Sequence, residues 1–159
     1  MHTDKQETGK FVIRVYGILT NSNKEVLLSD EYRFGMMMTK FPGGGLKFGE
    51  GPEDCLRREA MEELGQSVKI IEHFYTTGFY QKAMFFEDHQ LLSIYYRIEP
   101  EDKVQFRISE RPFDFPEKTG GSISFRWKNI NKLNPDELTF PVDRHVAGLL
   151  KKEYLRNNF

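Results

Sequence analysis

Three consecutive glycines, Gly43–Gly45 in "FPGGGLKFGEG", run into "EGPEDCLRREAMEELGQ" (50–66), and that second segment constrains the fold most. Pro52 suits the first turn of a helix. Glu53 and Asp54 follow it and favour the positive end of the helix dipole. Gly65 is a natural C-terminal stop. The spacing therefore predicts a helix from about Pro52 to Leu64. Leu56, Ala60 and Leu64 recur every fourth residue and form its buried stripe. A helix with one apolar stripe must pack on another layer, and strand-like segments stand on both sides of it.

Those segments follow from side-chain chemistry. "FVIRVYGILT" (11–20) is rich in β-branched and aromatic residues and reads as a strand. It turns through "NSNK" (21–24) into a return strand, "EVLLSDEY" (25–32). "MMMTKF" (36–41) is a short apolar piece ending at Pro42, and the glycine run is expected to be a loop. After the helix, 67–80, 90–99, 103–109 and 122–130 read as strands. Residues 110–121 form a Pro/Gly-rich loop, and 142–158 a second, basic helix. Residues 1–10 are expected to be a loose leader and 11–159 one mixed α/β domain, with no internal repeat or linker.

Composition excludes several functions. The 159 residues carry a formal net charge of −1, so charge alone would not hold a nucleic acid. No apolar run approaches the roughly 20 residues needed to span a bilayer, so no membrane partner is expected. The polar N-terminus lacks a signal-peptide core, and the only cysteine, Cys55, allows no internal disulfide. A cytoplasmic protein is the default expectation.

On the helix, Glu59, Glu62 and Glu63 are spaced to share a face and converge on one patch. Arg58, four residues before Glu62, is within reach of them. Most acid-rich helix faces are solvated and laced with ion pairs, and "REAMEEL" alone fits that description. Glu50 and the glycine run at fixed distances favour another reading. Converging carboxylates repel, and a divalent cation removes the penalty. Hard oxygen ligands suit Mg²⁺, with Mn²⁺ as a substitute, whereas no Cys or His stands at zinc spacing. The physical reading is a carboxylate-bound magnesium site that handles phosphates.

The segment Gly44–Gln66 resembles the Nudix box: G, five residues, E, seven residues, then R-E-U-x-E-E-x-G-U, where U is bulky and apolar. Gly44, Glu50, Arg58, Glu59, Glu62, Glu63 and Gly65 fall in place, and "FPG" precedes them as in the family. Two positions depart. Ala60 is small for a U, and Gln66 replaces the final apolar residue, which bears on packing after the helix. The resemblance implies a Nudix-type α/β/α sandwich with a mixed central sheet. It implies a Mg²⁺-dependent hydrolase that cleaves a diphosphate in a nucleoside diphosphate linked to another group, such as a nucleotide sugar, ADP-ribose or a nucleoside triphosphate. Carried over by position, Glu59, Glu62 and Glu63 are metal ligands, with the Gly43 carbonyl as a further one. Glu50 supports the metal or a bound water, Arg58 holds a carboxylate, and Glu63 is favoured as the base. Glu110, Asp114 and Glu117 are later-loop alternatives for the base. A non-catalytic nucleotide-sensing module is the second reading, and many relatives are homodimers.

Other residues carry weaker signals. Arg33 and Lys40 are candidates to meet substrate phosphates, against the usual solvated role of basic residues. Met36–Met38 fit either an adaptable pocket wall or the core, with the core favoured. Phe79, Tyr80, Phe85 and Phe86 can stack a base, but a core role is expected for most of them. Cys55 is expected to be packed, and His73, His89 and His145 show no ligand spacing.

Overall fold

A computed structural model describes residues 9–157. Most of the expected leader (1–8) and Asn158 of the expected last helix lie outside these residues. The described chain runs β1 (Lys10–Leu19), β2 (Glu25–Arg33), β3 (Met36–Lys40), β4 (Gly43–Gly45), α1 (Pro52–Leu64), β5 (Val68–Thr76), β6 (His89–Pro100), β7 (Ser122–Asn129) and α2 (Pro141–Asn157). One sheet has the order β4-β1-β6-β5 and the other β3-β2-β7. In the first, β1 is parallel to β6 and antiparallel to β4, so that sheet is mixed.

Alternation along β1 and β2 builds the layers, because successive strand residues face opposite ways. Tyr16, Ile18, Val26 and Leu28 join one core cluster with Val142, Val146, Ala147 and Leu150 of α2. Val15, Leu19 and Leu27 join the other with Cys55, Leu56, Ala60 and Leu64 of α1. The helices thus cover opposite faces, giving the expected α/β/α sandwich. Leu133 and Leu138, fully buried between β7 and α2, each contribute about 1.5–3 kcal/mol of apolar burial.

Three segment expectations need correction. The glycine run is not a loop. It is strand β4, registered Tyr16↔Gly43, Val15↔Gly44 and Arg14↔Gly45. The strand expected over 67–80 stops at Thr76. Residues 103–109 form no strand: Phe106 and Ile108 pack on the α1-side core, but the segment makes only an isolated backbone bond to β7, from the Ser109 N–H to the Phe125 carbonyl at 2.7 Å. Gln66 supplies the missing partners. Its Nε2 donates to the carbonyls of Asp102 (3.0 Å) and Lys103 (2.8 Å), and its Oε1 accepts from the Gln105 N–H (3.2 Å). The polar residue at the box's last position is therefore buried and satisfied.

Candidate active site

The acidic helix packs against the glycine strand at close range. A side chain at Gly43, where φ is 148°, would collide with the Val15 carbonyl, and one at Gly44 would collide with the Glu59 carboxyl. Gly44 thus lets the helix approach, and Gly43 lets β4 lie close against β1. Arg58 ties the two elements together. Its Nη2 and Nε grip Glu50 bidentately at 2.7 and 3.0 Å, and Nη2 also donates to the Gly45 carbonyl at 3.0 Å. Its Nη1 reaches Glu59 at 2.9 Å and Glu62 at 3.2 Å. The guanidinium and the Lys47 N–H hold the Glu50 carboxyl down at about 2. The same carboxylates push the Arg58 guanidinium up.

Glu63 stands on the inner side of this group. Burial pushes its carboxyl up to about 7, and Glu31 and Glu59 add to the effect, while Lys40 and the Gly43 N–H oppose it. Its Oε2 is buried and has no hydrogen-bond partner among the described residues. Glu59 and Glu63 therefore face consecutive residues of the glycine strand, and Glu62 lies further out, exposed. Among the described residues no three carboxylate, His or Cys groups are drawn into metal-holding geometry, and Arg58 engages Glu59 and Glu62. The donor chemistry still suits a hard cation. All the candidate ligands are oxygens, and the orphaned Glu63 Oε2 needs a partner.

Lys40 differs from the solvated residue that its chemistry suggests. It is buried at 3% exposure, ion-paired to Glu31 at 3.3 Å, and donates to the Gly43 carbonyl at 3.1 Å. It also lines a cavity of about 190 Å³ between the two sheets and the start of α2. Arg33 sits at the mouth of that cavity with its guanidinium 5.5 Å from the Phe34 ring centre. Met38 is buried and lines the same cavity. Phe79, Tyr80 and Phe86, expected mainly in the core, are exposed. Phe85 is half-buried in the cavity wall and stacks on Phe34 at 4.7 Å. Cys55 is packed as expected, against the Gly45 carbonyl, and burial pushes its thiol up to about 12.

Of the later-loop carboxylates, Asp114 is held by Arg107 at 2.8 Å and by Arg111 at 3.1 Å. Hydrogen bonds from Arg111 first, then Ser109 and the nearby arginine charges, lower its pKa. Glu110 and Glu117 are exposed. His145 packs on Tyr75, while His89 donates to the Glu87 carbonyl and His73 pairs with Thr76.

Among the cavity residues that sequence reasoning missed are the polar ones Arg14, Tyr16, Glu31, Tyr95 and Asp143. Arg14 Nε donates to the Tyr16 hydroxyl at 2.7 Å, and the Tyr95 hydroxyl donates to Asp143 Oδ1. A charged residue inside the apolar strand "FVIRVYG" was the available signal for Arg14. Asp143 gave none, since an acid in a first helical turn is ordinary.

This glycine strand and acid-rich helix lie on an α/β/α sandwich, the chain matches the model of the NUDIX domain over residues 10–147, and it belongs to that family. Among its relatives, the 8-oxo-dGTP diphosphatase of Escherichia coli K12 is 27% identical over 139 residues, covering 86% of this chain and 93% of that protein. The RNA pyrophosphohydrolase of Psychromonas ingrahamii is 46% identical over 57 residues, covering 34% of this chain. The chain spans only 30% of that protein's length. The solution structure of the E. coli ORF135 protein shares the fold, with a TM-score of 0.67 at 16% identity over 93% of this chain and 92% of that one. Among the described residues no helix is long and apolar enough to cross a membrane.

Proposed function

We propose that the protein is a Mg²⁺-dependent hydrolase that cleaves a phosphorus–oxygen–phosphorus anhydride in a small nucleotide, of the nucleoside triphosphate type. One observation carries this reading: Lys40 joins two unlike sites. One side of it is the Gly43 carbonyl and Glu63, and the other is the cavity, whose wall is mostly apolar. A molecule with a flat apolar ring and a charged phosphate chain matches that layout. The cavity volume, about 190 Å³, is below the roughly 300–1,000 Å³ of sites that take whole drug-sized ligands. It therefore suits one ring system, with the phosphates outside it. Of two relatives matched along most of this chain, one is named for a single nucleoside triphosphate, which agrees, and the other, 31% identical over 76% of the chain, is named an RNA pyrophosphohydrolase, so the screen includes RNA.

In this reading Glu59, Glu62, Glu63 and the Gly43 carbonyl hold the metal. When bound, the cation neutralises phosphate oxygens and acidifies the attacking water. Arg58 fixes Glu50 and Glu59 so that their carboxylates do not swing away. Lys40 and Arg33 meet phosphate oxygens, and Glu63 takes the proton of the attacking water.

The test is a hydrolysis screen with Mg²⁺ or Mn²⁺ against nucleoside triphosphates, nucleotide sugars, ADP-ribose and a 5′-triphosphate RNA oligomer, with products identified. Metal-dependent cleavage of a free nucleotide, lost in Glu62→Gln, is the expected result. Cleavage of the RNA alone would refute the small-nucleotide reading. Tight metal-dependent binding without turnover would replace the enzyme with a sensor.

A further inference from the structure

Lys40 is bonded to an atom that the cleavage chemistry needs. Its Nζ donates to the Gly43 carbonyl at 3.1 Å in a buried hydrogen bond, and that carbonyl is one of the metal ligands in the reading above. The other ligands also face side-chain cations. Arg58 holds Glu59 and Glu62 at 2.9 and 3.2 Å, and the charge of Glu63 bears on Lys40. Arg58 and Lys40 thus balance the carboxylates from within the chain.

The two cations are anchored differently. Arg58 is gripped by Glu50 at 2.7 and 3.0 Å and by the Gly45 carbonyl at 3.0 Å, neither of which is an assigned metal ligand. It can release Glu59 and Glu62 and still stay in place. The remaining anchors of Lys40 lie on the cavity side. Its Nζ is 3.3 Å from Glu31 Oε1 and 5.6 Å from the centre of the Tyr16 ring, and both residues line the cavity with it. Glu31 is buried, and a buried carboxylate stripped of its partner is costly, so Lys40 stays within reach of Glu31 wherever it turns. A lysine is a compact charge on a flexible four-carbon stem, so Nζ can turn while the strand stays still.

A hard divalent cation bonds a carbonyl oxygen at about 2.0–2.1 Å and carries twice the charge of an ammonium. An ammonium 3.1 Å from the same oxygen would face it at close range, where water is excluded and like charges repel strongly. The two cations therefore compete for one oxygen. We propose that Lys40 is a resident counter-cation that yields the Gly43 carbonyl to the metal and turns, still paired with Glu31, into the cavity, where its ammonium meets a substrate phosphate. The inference rests on the metal-dependent hydrolase reading above. One side chain thereby couples the binding of metal to the binding of phosphate.

The experiment is Mn²⁺ binding, read by paramagnetic resonance, to the intact chain and to Lys40→Met, Glu31→Gln and the double variant Glu31→Gln/Lys40→Met, each checked for a cooperative melting transition. Lys40→Met is expected to bind Mn²⁺ at least about tenfold more tightly, because the competing cation is gone. Glu31→Gln is expected to bind more weakly, because Lys40 loses its anchor on the cavity side. The double variant separates displacement from a mere change of field. It removes one positive and one negative charge, so a field effect alone leaves the affinity at the unmodified value. Displacement predicts an affinity close to that of Lys40→Met. The double variant also strands no buried charge, so it gives the answer even where a single variant does not fold. An affinity equal to that of the unmodified protein overturns the proposal. ATP and GTP cleavage is measured in parallel. Lys40→Met is expected to cleave more slowly while binding Mn²⁺ more tightly, a split that structural damage would not produce, and unchanged cleavage overturns the phosphate contact. Cleavage by an unmodified protein whose Mn²⁺ affinity the double variant merely matches overturns this inference and leaves the hydrolase reading standing. Neither Mn²⁺ binding nor cleavage by the unmodified protein overturns both.

Discussion

Asp143→Asn tests the electrostatics of the cavity floor through stability alone. The carboxyl is fully buried, and burial pushes it from 3.8 up to about 6, even though the Tyr95 hydrogen bond and the charges of Lys40 and Arg14 oppose the shift. Between those values the unfolded chain has lost the proton and the folded chain keeps it. Stability therefore falls as pH rises through this window. The penalty is absent below the lower value and complete above the upper one. About two pH units at roughly 1.4 kcal/mol each give a penalty of about 3 kcal/mol at neutral pH. Asparagine fills the same space and still accepts from Tyr95, but it has no charge to desolvate. The variant should gain on the unmodified protein by about 3 kcal/mol between pH 4 and pH 7.5. For a chain of this size that is a change of roughly 6–12 °C in the difference between melting temperatures. Urea or thermal unfolding of both proteins across that range measures it. The titration of Glu63 is common to both proteins and cancels. Parallel stability curves would refute the argument, because they would mean that Asp143 keeps an ordinary pKa in the folded chain.

Gly44→Ala should keep the fold but push the Glu59 carboxyl out of its Arg58 bond, since the three atoms nearest the added carbon all belong to that carboxyl. It should weaken Mn²⁺ binding roughly 10–100-fold, the usual effect of disturbing a ligand's support, as read by paramagnetic resonance. Arg58→Lys keeps the charge but cannot grip Glu50 and reach Glu59 together. Nucleotide cleavage should fall while the melting temperature drops only a few degrees, and an unchanged rate would remove Arg58 from the site. Gln66→Leu restores the family's apolar residue but strands the carbonyls of Asp102 and Lys103. The expected loss is about 1–3 kcal/mol, together with faster proteolysis between 101 and 110.

Local chemistry made part of this molecule legible. Helix α1 spans the residues that Pro52 and Gly65 bracket, because caps and an apolar stripe are written in adjacent residues. The glutamates and Arg58 were found for the same reason, since one helix carries them. What was misread depends on distant partners. Phe106 and Ile108 alternate like a strand, but alternation reports burial, and one backbone bond from Ser109 to β7 does not make a ladder. The glycine run looked like a loop because its strand character comes from β1. Lys40 looked solvated because its partner Glu31 stands on another strand. Arg14 and Asp143 meet only when β1 and α2 close on one cavity, so neither announced itself.

The parallel pairing of β1 with β6 carries a kinetic cost. Its register runs from Lys10 opposite His89 to Leu19 opposite Ile98, so about half the chain separates each pair of partners. Antiparallel β4 hangs from the free edge of β1, and Arg14 and Tyr16 project from its face. None of these groups has its final scaffold until β6 is available. Long-range parallel pairing slows folding, because the loop must close before the contacts reward it. During synthesis the acidic helix is made well before the strand that completes its site. The nascent chain therefore exposes an apolar β1 throughout that interval, and this is when edge-to-edge association is most dangerous for it.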